Sequence, residues 1–199
     1  MSGLFGGDRP AGAGVCGRAN HGTLNRVLIA LSGLPGVGKT TLARALAARL
    51  GGVHLRIDTI EQALVRDGLP LADLGGRGYA VARALAGDLL AGGFTVVADA
   101  VNPLAATRTA WHDLARAAGV VCCDVEVVCG DRREHRRRVE TRLADIPGHV
   151  LPTWRDVEAR EFEPWQAAPR VVVDTAQLGD AAAVEQVVAA LGLDAYGLS

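Results

Sequence analysis

Eight residues, Gly33-Leu-Pro-Gly-Val-Gly-Lys-Thr40, constrain this chain more than any other stretch of it. They fit G-x-x-x-x-G-K-[ST], a pattern whose chemistry needs a strand before it and a helix after it. Both are legible. The apolar run at 26–31 reads as a buried parallel strand, and 41–50 reads as an amphipathic helix closed by Gly51 and Gly52. Gly33, Gly36 and Gly38 let the backbone turn its N–H groups toward one point, with Leu34, Pro35 and Val37 between them. The helix N-terminus, carrying Thr41, adds positive potential there. Lys39 is expected to reach the outer phosphates of a nucleoside triphosphate, and the Thr40 hydroxyl to ligate magnesium.

The strand-then-helix alternation continues. Strands are expected at 53–58, 94–99, 120–129 and 170–174, and helices at 60–66, 79–91, 103–118, 131–144, 153–162 and 181–191. Thr59 is expected to cap the helix that follows it, and Pro103 to sit near the first turn of its own. Such alternation implies right-handed crossovers and an α/β fold. The expected form is a P-loop NTPase three-layer α/β/α sandwich around a five-stranded parallel sheet. Ligands of these sheets bind beyond the carboxyl ends of the strands.

Residues 1–24, rich in Gly, Ala, Ser and Asn, are expected to form a flexible extension, leaving 25–199 as one domain. A chain of 199 residues with 49% hydrophobic and 22% charged residues can bury a full core. Its net charge of −1 argues against binding nucleic acid over its whole surface. No apolar run reaches the length of a membrane span and no signal-peptide order opens the chain, so a cytoplasmic protein is expected. Cys16, Cys122, Cys123 and Cys129 show neither C-x-x-C spacing nor a His partner pattern, and read as reduced thiols packing like small hydrophobes.

Asp58 and Asp99 each close a predicted strand on the side of the phosphate loop. One carboxylate is expected to hold magnesium while the other accepts the proton of an attacking hydroxyl; the plainer reading of either is a helix cap. Six arginines follow in one charged stretch: Arg132, Arg133, Arg136, Arg137, Arg138 and Arg142. Asp131, Glu134 and Glu140 can pair with several of them. Arg138 and Arg142, one turn apart, are expected to share a face and close over phosphates as a lid spanning about 131–150. Arg66, Arg77, Tyr79, Asn102 and Arg108 are candidates to line an acceptor pocket, with Arg77 and Asn102 favoured because they lie on loops. Trp111, Trp154 and Trp165 read as packing residues.

The phosphate loop, Asp58, the segment Val97-Ala-Asp-Ala-Val-Asn102 with Arg108 after it, and the arginine-rich helix together resemble the small P-loop kinases. The resemblance is to the AAA-type ATP-binding group that includes zeta-toxin-like and chloramphenicol-phosphotransferase-like kinases. Gluconate, shikimate and adenylylsulfate kinases are more distant. It covers residues 26 to about 192 and implies ATP with Mg2+ and transfer of the γ-phosphate to a hydroxyl of a small molecule. It also implies that Asp58 is the substrate-orienting base, that Asp99 lies near magnesium or substrate, and that Arg138 and Arg142 belong to the lid.

Two other functions compete with that expectation. A nucleotide-dependent regulatory ATPase would hydrolyse without an acceptor. Against it, the chain has no Asn-Lys-x-Asp or Ser-Gly-Gly signature and is short for a ring ATPase. A polynucleotide or tRNA end kinase could use the basic helix, although no aromatic platform interleaves it.

Overall fold

In the computed structural model of the chain, residues 26–166 and 169–192 are described. The expected extension at 1–24 lies outside them. Five strands, β1 (Val27–Ser32), β2 (Val53–Arg56), β3 (Val96–Asp99), β4 (Val121–Val128) and β5 (Val171–Asp174), form one sheet in the order β2-β3-β1-β4-β5. Every pairing is parallel, as the alternation of strand and helix requires. The described α-helices are α1 (Lys39–Leu50), α2 (Ile57–Arg66), α3 (Arg77–Ala91), α4 (Ala105–Ala118), α5 (Arg132–Thr141), α6 (Trp154–Glu158) and α7 (Asp180–Ala190).

β1 is apolar up to its last residue, Ser32, because it is covered on both faces. Val27, Ile29 and Leu31 enter one core with Leu42 and Leu46 of α1 and Val184 and Val187 of α7. Leu28 and Ala30 enter the other with Ala82 and Ala86 of α3 and Trp111 of α4. The result is the expected three-layer α/β/α sandwich. Strand order runs outward in both directions from β1, so the crevice of the sheet opens at the carboxyl end of that strand, where the phosphate loop begins.

Several boundaries differ from expectation, each for a local reason. β2 stops at Arg56 because α2 begins at once with Ile57, which is buried in the α3/α4 core. Asp58 therefore lies in the first turn of α2 rather than at a strand end, and Thr59 is inside the helix instead of capping it. β3 begins at Val96 because Gly93, at φ 92°, turns the chain and leaves Phe94 exposed. α4 begins after Pro103, at Ala105, with Leu104 extended before it. α5 is shorter than its charged stretch: Asp131 caps it, accepting from the Arg133 and Glu134 amides, and Thr141 ends it. Thr153 and Asp156 close a reciprocal capping box on α6, which stops at Glu158. Cys122 and Cys129 are free, whereas Cys123 is disulfide-bonded, correcting the reduced-thiol reading there.

Candidate active site

Gly36 shows why the phosphate loop needs glycine. Its φ is +84°, and a Cβ there would lie 2.5 Å from Val139 Cγ2 of α5. The loop is thus pressed directly onto α5. His135 of the same helix lies within hydrogen-bonding distance of the Pro35 carbonyl through Nε2, at 2.9 Å, and packs edge-on against Trp154 at 5.1 Å. On its other side the loop is tied by the Gly33 amide donating to the Val101 carbonyl at 3.0 Å, and by Thr175 Oγ1 donating to the Val37 carbonyl at 2.7 Å. α1 starts at Lys39, two residues earlier than expected, so Lys39, Thr40 and Thr41 supply the open amides of its first turn.

Lys39 is buried, and its Nζ donates to the Leu34 carbonyl at 2.9 Å. Burial pushes its pKa down to about 8, against the opposing pull of the Asp99 and Asp58 charges. Asp99 is 3% exposed. Burial alone would raise its pKa, but a hydrogen bond from His54, the Lys39 charge and a hydrogen bond with Thr40 outweigh it and hold the carboxyl below its usual value. His54 Nε2 lies 3.1 Å from Asp99 Oδ2. Thr40 and Asp99 together form a hard oxygen pair, oriented by His54 and set beside Lys39. That donor set fits Mg2+.

The phosphate loop and Asp58 line one cleft of about 1330 Å³. Arg56, Glu61, Tyr79, Arg142 and Arg160 line the same cleft, and the Asp58 charge acts on the first four of them. Asp58 is 42% exposed at its side chain and sits 3.7 Å from Arg56 Nη2. Arg56 also donates to Asp145 Oδ2 at 2.7 Å, as does Arg44, and these two bonds hold the Asp145 carboxyl well below the usual carboxylate range. Burial raises the Glu61 pKa to about 7, with the Asp58 charge adding to the rise and Arg160 opposing it. Gly78 makes room for this carboxylate, since a Cβ there would lie 2.3 Å from Glu61 Cγ. Burial likewise raises Tyr79 to about 12, and its hydroxyl oxygen accepts from the Asn102 amide at 3.1 Å.

The two arginines expected to form a lid are not equivalent. Arg138 spends its guanidinium on the protein: Nε donates to Glu134 at 2.7 Å, Nη1 to Thr175 Oγ1 at 2.8 Å and Nη2 to the Thr175 carbonyl at 3.1 Å. Arg142 lies past the end of α5 in extended backbone, so the two do not share a helical face. Its Nε is buried without a hydrogen-bond partner, and burial lowers its pKa. Of the two, Arg142 is the one with a guanidinium nitrogen to spare. Of the remaining arginines, Arg136 pairs with Glu140 and Arg137 with Glu134 on the exposed face of α5, and Arg132 pairs with Glu158 of α6.

Three residues expected at the acceptor pocket are placed elsewhere. Arg77 is exposed and turns back to the Asp73 carbonyl. Arg108 is 5% exposed; it donates to the Asn102 and Glu163 carbonyls and stacks on Trp165 at 4.4 Å. Asn102 is fully buried at φ 46°, donates from Nδ2 to the Leu31 carbonyl at 2.7 Å and accepts from Trp111 Nε1 at 3.0 Å. It fixes the loop that presents its own amide to Tyr79, so it shapes the pocket from behind. Asn102→Ala would strand the buried Trp111 N–H and the Leu31 carbonyl. The expected cost is about 2–5 kcal/mol of unfolding free energy, measured by urea denaturation. Glu61, Arg160 and Asp145 were not anticipated. Glu61 could have been, because it lies three residues after Asp58 on one amphipathic helix.

This arrangement defines a P-loop nucleotide-binding protein with the fold of the small P-loop kinases. The chain belongs to the AAA domain family, whose model matches residues 28–160. Solved structures with the same fold include a gluconokinase from Sinorhizobium meliloti, 20% identical with a TM-score of 0.58, covering 86% of this chain and 94% of that one. The Mycobacterium tuberculosis APS kinase CysC, in complex with AMPPNP and APS, is 20% identical with a TM-score of 0.63, covering 84% and 98%. Chaetomium thermophilum Kti12, in complex with ADP-AlF3, is 24% identical with a TM-score of 0.60, covering 85% and 100%. No curated protein matches the chain. Among the described residues, no helix is long and apolar enough to cross a membrane.

Proposed function

We propose that the chain is an ATP-dependent kinase that transfers the γ-phosphate to a hydroxyl of a small molecule. The observation that carries this reading is the single cleft that joins the phosphate loop to Asp58, with Arg142 beside them. The loop amides and Lys39 hold the outer phosphates of ATP. An acceptor hydroxyl enters among Glu61, Tyr79 and Arg160, and gives its proton to Asp58 as its oxygen bonds to the γ-phosphorus. The bond from that phosphorus to the bridging oxygen breaks, and ADP leaves with the electron pair. Lys39 and Arg142 stabilise the charge that develops on the transferred group. Mg2+, held by Thr40 and Asp99, would neutralise charge on the phosphate oxygens. Irregular chain at 142–153, with Leu143 and Val150 exposed, carries Arg142 and suits a lid that covers bound ligand.

Pairing of Arg132, Arg136, Arg137 and Arg138 with protein carboxylates supports the small-molecule reading over a nucleic-acid acceptor. The test is ADP formation by the full chain against separate sets of sugar acids, nucleosides, hydroxylated antibiotics and other hydroxylated metabolites. One set should raise the rate saturably. A second reading, a regulatory ATPase without a small-molecule acceptor, is kept because the fold is also that of Kti12. Hydrolysis indifferent to every compound, together with nucleotide-dependent binding to a protein, would favour it.

A further inference from the structure

Sequence spacing gave no reason to expect a structural metal, yet folding brings three unlike ligand types together away from the cleft. Cys123, Val125 and Val127 of β4 point into the α1/α7 core, so the alternate residues Cys122 and Asp124 face α4. His112, from the middle of α4, reaches across with Nε2 only 2.6 Å from Asp124 Oδ2. One ligand atom from each of His112, Cys122 and Asp124 lies within 4.8 Å of the others. Cys122 and Asp124 sit in the first half of β4, in register with Leu28 and Ala30, whereas the phosphate loop begins only after Ser32. None of the three lines the nucleotide cleft.

Asp124 is the residue that asks for an explanation. Its side chain is 3% exposed, and its second oxygen, Oδ1, is buried with no hydrogen-bond partner. A carboxylate left half-satisfied in a sheet core is costly, and a cation supplies what the protein does not. Cys122 is a free, partly buried thiol. His112 is 42% exposed at its side chain, which gives an ion a path from solvent.

We propose that His112, Cys122 and Asp124 form a zinc site that clamps α4 to β4, with water as the fourth ligand on the exposed side of His112. A nitrogen, a sulfur and an oxygen donor suit this borderline-soft ion better than magnesium or calcium. Bond lengths of about 2.0–2.3 Å separate tetrahedral ligands by roughly 3.3–3.8 Å. The ion would therefore replace the His112–Asp124 hydrogen bond, opening that 2.6 Å pair, while the other donor separations, already within 4.8 Å, adjust around it. Cys122 gives up its thiol proton to solvent on binding. His112 offers Nε2 once its ring hydrogen sits on Nδ1. The ion would brace the helix that follows the Asn102 loop, independently of the kinase reading.

The test is cobalt(II) titration of the metal-stripped full chain at neutral pH. Expected is a single equivalent that produces a thiolate-to-cobalt charge-transfer band and four-coordinate visible bands, both abolished by added zinc. Cys122→Ser should remove the charge-transfer band. Asp124→Asn and His112→Gln should each weaken binding by more than the roughly 10–100-fold that loss of a supporting partner costs. Binding of a fluorescent ATP analogue, unchanged in each variant, certifies the fold. A wild-type chain that binds the nucleotide but shows no thiolate band overturns the proposal, and so does a band that survives Cys122→Ser.

Discussion

Replacing Lys39 by Met is expected to lower kcat/KM for ATP by about 10²–10³-fold, the scale on which a preorganised cationic or hydrogen-bonding group acts in such sites. The reason lies in what its burial costs. Lys39 is buried with its Nζ bonded to the Leu34 carbonyl, and its pKa falls to about 8 because burial disfavours the charge. A polyphosphate arriving at the loop restores a counter-charge and pulls a proton onto the amine. Affinity of the wild-type protein for ATP should therefore weaken as pH rises through and above about 8, by as much as tenfold per pH unit, because binding must take up a proton that the free protein has lost. Lys39→Met should retain only weak binding, without that dependence. Isothermal titration in two buffers of different ionisation enthalpy measures the uptake directly. Equal heats at pH 8.5–9 would show that Lys39 is already charged before ATP arrives.

The second large effect is at Asp58. Asp58→Asn is expected to leave KM for ATP within about twofold while kcat for transfer falls by about 10²–10⁴, the range over which a positioned base contributes. Asparagine keeps the size and the hydrogen-bonding reach of the side chain and cannot take the proton. The cap reading predicts the opposite pattern. Asp58 stands in the first turn of α2, where a negative charge suits the helix N-terminus, and its loss as a local helix group would cost on the order of 0.3–1 kcal/mol with kcat intact. No side-chain capping hydrogen bond is made at this helix start, and Asp58 instead lines the cleft with its charge within reach of Lys39, Glu61 and Tyr79. Full turnover by Asp58→Asn with a true acceptor would remove it from the base role.

The phosphate half of this site was readable in the sequence because local residues make its geometry. Glycines at 33, 36 and 38, an apolar run before them and a helix after them need no distant partner to be recognised. The sheet was equally legible, since a both-faces-buried β1 is apolar at every residue but its last. The proposed acceptor half is harder to read because tertiary packing builds it. Asn102 and Arg108 are polar residues near a loop and read as ligand contacts, yet one is sealed beneath Trp111 and the other under Trp165. Arg138 and Arg142 differ because α5 stops between them, a boundary that a run of charged residues does not announce. Asp145 and Arg160 come into the cleft from irregular chain, where no period exists to place them. The same holds for His112 and Cys122, ten residues apart in sequence and joined only when α4 folds back over β4.

In the proposed reaction the γ-phosphate goes to an acceptor and not to water. The direct measurement follows radiolabelled γ-phosphate from ATP in the presence of the acceptor set that stimulates ADP formation, with wild-type protein and Asp58→Asn side by side. Label appearing on the acceptor hydroxyl in step with ADP, and lost from the variant that still binds ATP, is the predicted result. Label recovered only as inorganic phosphate, at a rate no acceptor changes, would contradict it.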